Sequence, residues 1–547
     1  MKVKYLIFWM IILLLSSCKM KNSADLIVKN AVIYTLDSTE TIAQAMAVKD
    51  GKVLATGTNK EIESAYNSKQ NIDAGGHALY PGFIDAHCHF CSYGITKLRY
   101  ADLTGTSSFK QVLKVLKDFT REHPENTWIL GRGWDQNDWQ NKSFPDRAAL
   151  DSLFPDKPVM LTRIDGHAVL VNGKALQMAG YTPETSIEGG QLIKNHGRLT
   201  GVLLDNAADK IKAMASQVTA EELRQALLQA QKDCFAVGLT SVVDAGLNKD
   251  YVQTIDKMNN DKMLKMRIYA MLSPTTENIE TYLKKGIYKT PYLHVASIKL
   301  YADGALGSRG ACLLEPYSDD GGNYGFLVNS PAYLDSLCRM AYENGYQVNT
   351  HAIGDSAVRL MLDIYSRYLK PGNGRRWRIE HSQVVAPSDF QRYGELSVIP
   401  AVNTTHATSD MYWADKRLGK RVKYAYAYRR LLEQNGWLTN GSDFPVESIN
   451  PLYGFYAAVA RKDLSGYPEG GFQSENALTR LQALKAMTIW AAKGSFEENE
   501  KGSLSKGKVA DFVITDRDIM TCDIDKVPAT KILYTVSGGE IVYKNGE

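Results

Sequence analysis

Short β-type runs occupy both ends of this 547-residue chain, and strand–helix alternation fills the space between them. Near the start come Leu26 to Val28, Ala31 to Tyr34, Ala45 to Val48 and Lys52 to Ala55, with Asp50-Gly51 as a hairpin signal between the last two. Near the end come Ala510 to Ile514, Lys531 to Val536 and Glu540 to Tyr543. The two strand-rich ends predict one small β-sandwich, built from residues 25–80 and 496–547. Residues 81–495 alternate apolar strands, such as Thr240 to Asp244, Ala296 to Ala302, Gln347 to Thr350, Trp377 to Glu380 and Trp437 to Asn440, with helix-period runs such as Glu221 to Phe235. Repeated strand–helix units of this length predict an α/β fold, a (β/α)8 TIM barrel. The interval from about 100 to 217 is too long for one crossover and carries Trp128, Trp134 and Trp139, so it reads as an insertion covering the barrel mouth.

The first residues differ from the rest. Lys2 and Lys4 precede a charge-free apolar run from Leu6 to Leu15, then Ser16, Ser17 and Cys18. This is the layout of a signal peptide, and the run is too short to span a bilayer. The ending resembles a bacterial lipoprotein signal. That resemblance implies removal of residues 1–17, a lipid on Cys18 and a polar tether over 18–24. The chain is then expected to be exported and lipid-anchored, and Lys19 after the cysteine points to the outer membrane. The other cysteines (Cys88, Cys91, Cys234, Cys312, Cys338 and Cys522) show no regular spacing and read as free and mostly buried. Lys and Arg number 64 against 60 Asp and Glu, a formal charge of +4. That balance offers no electrostatic case for a nucleic-acid partner, and a homo-oligomer stays open.

The most informative stretch is Pro81-Gly82-Phe83-Ile84-Asp85-Ala86-His87-Cys88-His89. Residues i and i+2 of a strand face one side, so His87 and His89 can share a metal while Cys88 points into packing. Lys299 lies within an apolar strand, where a charge is costly unless paired or neutralised. His351, His381 and Asp443 each end a later strand, where barrel active sites are built.

With the blocks Gly131 to Asp135, Arg163 to Asn172, Lys299 to Ala311, His351 to Asp355, Glu380 to Gln383 and Gly441 to Pro445, the chain resembles the amidohydrolase superfamily, and within it amidohydrolase family 3, which includes N-substituted formamide deformylases. The resemblance implies a site with one or two divalent ions, zinc first. His87 and His89 match ligands of the first metal, and His351 and His381 those of the second. Lys299 matches a lysine that is carboxylated in many members, and Asp443 matches a ligand that also shuttles a proton. It implies hydrolysis of a non-peptide C–N bond (an amide, formamide or cyclic amide) of a small molecule by metal-activated hydroxide. His167, Asn172, Asp303, Arg309 and Trp134 are expected to contact substrate, and Asp85 to support the first ligands. His77, His123, His196, His294 and His406 read as structural or surface. The ligand set leaves open a C–O or P–O bond, an isomerisation, or a lipoprotein that binds metal or small ligands without catalysis.

Overall fold

The structure, a computed structural model, describes residues 21–215 and 217–546. The signal segment and Cys18 lie outside the described residues. The tether expected to run to residue 24 ends sooner. Asn22–Ser23 pairs in parallel with Tyr66–Asn67, and Ala24 packs beside Ile27, Ala45 and Ala47. Among the described residues, no helix is long and apolar enough to cross a membrane.

The centre is a ladder of eight parallel strands in chain order: β1 (Phe83–Cys88), β2 (Leu239–Leu247), β3 (Arg267–Leu272), β4 (Leu293–Tyr301), β5 (Gln347–Ala352), β6 (Arg378–His381), β7 (Ile399–Val402) and β8 (Thr439–Asn440). Such strands are covered on both faces, so they run almost continuously buried, as in β3 and β5. The strand ladder stops at β8, and the backbone after it closes the ring. Asp443 N–H donates to His87 O at 2.8 Å, and His89 N–H to Phe444 O at 2.8 Å. Helices cover the outside. A Thr219–Glu222 capping box starts Ala220–Ala236, whose Leu223, Ala226, Leu227, Ala230 and Cys234 face inward. Cys88 and Cys91 are free and belong to the same core.

Between β1 and β2 the chain builds a separate six-stranded sheet: Ala101–Asp102, Ile129–Trp134, Val159–Arg163, Ala168–Val171, Arg198–Asp205 and Gly190–Asn195, in that spatial order. Its own core includes Leu103, Leu116, Trp134, Trp139 and Leu161. Strands from both chain ends share another sheet, in which Ala78–Pro81 runs antiparallel to Phe512–Thr515 and parallel to Val32–Tyr34. That sheet and the one containing Leu26–Lys29 and Ala45–Lys49 bury a common cluster around Val28, Ile33, Met46, Ile72, Phe512 and Val536. Arg267, at the start of β3, donates to Asp511 at 2.7 and 3.2 Å and ties the barrel to this layer.

Candidate metal centre

Alternation along β1 aims Asp85 and His87 to one side, and the chain turns at His89. The Nδ1 of His89 faces Ala245 O at 3.1 Å. A carbonyl only accepts, so Nδ1 carries the hydrogen and Nε2 keeps the lone pair. His87 Nδ1 meets the carboxylate of Glu380, which leaves Nε2 free in the same way. Both Nε2 atoms converge on Asp443 Oδ1, at 3.5 Å from His87 and 3.1 Å from His89. One donor atom from each of these three residues lies within 4.8 Å of the others. Asp85 braces the group from below. It accepts from His87 N–H, and from the backbone (3.1 Å) and hydroxyl (2.6 Å) of Ser442, so the strand-one and strand-eight ligands share one anchor.

The remaining strand ends add a second cluster. Lys299 Nζ is 3.1 Å from His87 Nε2 and lies over the Tyr301 ring. The His381 ring sits 4.5 Å from that of His351 and 5.1 Å from that of His87, centroid to centroid. His351 Nε2 points at Gly304 O, which leaves Nδ1 as its lone-pair nitrogen. His381 and Asp443 hold positive φ angles of 71° and 63°, in the left-handed region that most side chains avoid. His381 Nδ1 and Asp443 Oδ1 are buried without hydrogen-bond partners. Unsatisfied lone pairs on neutral imidazole and carboxylate are the donor set of a divalent cation, so these residues fit a zinc-type ion.

The electrostatics agree. Burial pushes the His87 imidazolium down to about 4, with the Lys299 charge adding to the effect. Burial, with His351 and His167 as respective neighbours, holds His381 and His351 well below the usual histidine value. Burial favours a neutral Asp443, but the polar surroundings of His89, His381 and His87 outweigh it and keep the group well below the ordinary carboxylate range. Burial lowers Lys299 to about 8.

The cluster floors a cavity of about 820 Å³ whose wall includes the inserted sheet. His167 belongs to that wall. Its ring lies 4.8 Å from His351, and its Nδ1 is held by Asp205 Oδ1 at 2.6 Å. Burial disfavours its charge, but the Asp205 bond wins and the pKa is raised.

Four expected substrate contacts are placed elsewhere. Asn172 is fully buried, accepts from Val159 and Ala175 N–H and donates to Phe154 and Lys157 carbonyls; it caps the helix Gly173–Ala179. Trp134 packs in the insertion's core and donates to Leu161 O. Arg309 turns to Asp319 at 2.9 Å. Asp303 is buried under the loop, where it accepts from Cys312, Ile353 and Gly354 N–H. Each reading failed because a motif next to a strand end does not say which way its side chains turn. His406 corrects the reading in the other direction. It lines the cavity, stacks on His381 and brings a buried, partnerless Nε2 to 3.9 Å from Asp443. Asp205 carries no sequence signal of its own, and the signal for Glu380 is its place beside His381.

The amidohydrolase family (family 3) matches residues 70–543. Protein LONG AFTER FAR-RED 3 of Arabidopsis thaliana is 33% identical over 540 residues, covering 95% of this chain and 92% of that protein. The N-substituted formamide deformylase of Arthrobacter pascens is 25% identical over 555 residues, 96% of this chain and 99% of its own. Among solved structures, an uncharacterised metal-dependent hydrolase from Pyrococcus horikoshii superposes with a TM-score of 0.74 at 27% identity, covering 91% of this chain and 99% of the other. On these matches the chain belongs to the amidohydrolase family.

Proposed function

We propose that this protein hydrolyses a non-peptide C–N bond (an amide, formamide or cyclic amide) of a small molecule, using one or two zinc ions. The observation that carries this reading is the convergence of His87 Nε2, His89 Nε2 and the partnerless Asp443 Oδ1 at the floor of the cavity. The full-length likeness to a formamide deformylase supports the bond type. These three residues would hold the first ion, and Lys299, His351 and His381 would face a second. When bound, such an ion polarises a carbonyl and lowers the pKa of water.

The chain's own groups do the rest. Glu380 and Ala245 fix the tautomers that present Nε2 of His87 and His89. His167, whose charged form is favoured by the Asp205 carboxylate on Nδ1, offers Nε2–H as an imidazolium to the substrate carbonyl oxygen. Asp443 accepts a proton from the attacking water and returns it to the leaving nitrogen. A Lys299 amine with its pKa near 8 has a neutral fraction able to add to CO2; the N–C bond forms, one proton leaves, and an anionic carbamate results.

The test is hydrolysis of amides, formamides, lactams and esters by zinc-loaded protein, with metal content measured alongside and density at Lys299 inspected in crystals grown with bicarbonate. Asp443→Asn is expected to lower kcat by about 10²–10⁴-fold, with most zinc retained through His87 and His89. Near wild-type turnover by that variant rejects the proton-transfer role. A zinc-loaded wild type inert on every amide and formamide rejects the reading.

A further inference from the structure

Three basic side chains besides the exposed Lys97 reach the cavity: Lys299, Arg163 and Arg132. Lys299 belongs to the metal cluster. Arg163 is used up, with Asp135 and Asp165 on its guanidinium and Gln136 Oε1 2.8 Å from its Nε. Arg132 differs. Among the described residues no carboxylate lies within ion-pair distance of it. One of its five N–H donors is used, by Ile164 O at 3.1 Å, and its Nε is buried without a partner. Asp443 and Asp165 act on its charge from farther off, while burial opposes that charge.

A half-buried guanidinium with idle donors is expensive, and proteins normally match it with an anion. The local backbone explains how the charge is aimed. The strand Ile129–Trp134 loses register with Val159–Arg163 between Arg132 and Trp134, at Gly133 with φ 109°. A bulge of this kind re-aims side chains: Trp134 enters the insertion's core and Arg132 reaches the cavity. A Cβ at Gly133 would stand 2.8 Å from Thr104 N, so the bulge depends on glycine. Gly166 lies against the guanidinium, where an added Cβ would stand 3.7 Å from Arg132 Nη1, in ordinary contact.

We infer that Arg132 is the recognition point for an anionic group on the substrate, so that the enzyme acts on amides or formamides that also bear a carboxylate. The carboxylate pairs with the idle donors as a two-point fork while the scissile carbonyl sits over the His87–His89–Asp443 floor. This rests on the hydrolase reading above.

The probes are N-formylglycine, N-formyl-β-alanine and N-formyl-6-aminohexanoate, each beside its neutral methylamide, so that three reaches are sampled. For at least one spacer the wild type should favour the acid over its methylamide by tenfold or more in kcat/KM, and Arg132→Met should shrink that ratio about 10–100-fold. Arg132→Lys keeps charge without the fork and should fall between; it also serves if the Met variant fails to fold. The same pairs are titrated against Asp443→Asn protein, where binding is read without turnover. Selective binding of an acid by Asp443→Asn, lost in the Arg132→Met double variant, supports the inference even if nothing is hydrolysed, in which case only the hydrolase reading falls. Hydrolysis with equal acid-to-methylamide ratios in wild type and variants, or no preference for any acid in either assay, overturns it.

Discussion

Glu380 shows how one buried carboxylate can orient a candidate metal ligand, His87, from behind. It is fully buried, accepts from His87 Nδ1, and takes the Arg378 guanidinium on both oxygens, at 2.7 and 2.8 Å. Burial alone would raise its pKa, but Arg378 and His87 pull it down to about 2, so it stays ionised. Arg378 spans the gap to β1 by donating to Ala86 O at 2.7 Å. Glu380→Gln would leave a buried guanidinium without its counter-charge. It should cost about 3–5 kcal/mol of stability and weaken zinc retention about 10–100-fold through the loosened His87 ring. Urea denaturation and dialysis against a chelator check both. Unchanged zinc retention would show that His87 is oriented by packing instead.

At the scale of elements, the seam between β8 and β1 decides whether the ligands meet. Gly441 makes it possible, because a Cβ there would lie 2.3 Å from His87 N and 2.6 Å from His87 O, both backbone atoms that cannot rotate away. Gly441→Ala should therefore pry the strand-eight loop from β1, costing about 1–3 kcal/mol and lowering bound zinc per chain. Gly374→Ala is the matched control, since nothing lies within 4 Å of its added Cβ, and its effect should stay within about 0.5 kcal/mol. Equal effects from the two changes would show the seam to be plastic. The inserted sheet acts at the same scale. It brings its own core, which leaves its barrel-facing edge free to carry His167, Arg163 and Arg132 into the cavity.

For the whole molecule, a buried ion pair between barrel and terminal layer joins Arg267 to Asp511. Their side chains are only 7% and 5% exposed, so neither charge has water to fall back on. Asp511 also accepts from Gly538 N–H at 2.6 Å, on the turn between the last two strands. Arg267→Ala should destabilise the folded chain by about 3–5 kcal/mol, read as a shift in the denaturation midpoint at unchanged zinc content. A shift below about 0.5 kcal/mol would mean that the layers are held by their other contacts, such as the Thr535 hydroxyl on Phe235 O.

Local pattern along the chain suffices for the strand–helix alternation, the His87-x-His89 pair and the chain positions of Lys299, His351, His381 and Asp443. Each of these depends on local period or on a residue type at a strand end. What faced what was decided only in the tertiary structure. Glu380 reaches His87 across 293 positions and Asp205 reaches His167 across 38, so no local pattern joins them. Asn172, Trp134, Asp303 and Arg309 sit in the same kinds of motif as the ligands, yet turn into caps, cores and loop braces because unpaired amides, carboxylates and guanidinium groups there had nearer partners. His406 and Arg132 went the other way, to the cavity, and both retain buried nitrogens with no partner of their own. Spacing along a chain selects which residues are able to meet, and the competition for hydrogen bonds in the packed state selects which of them do.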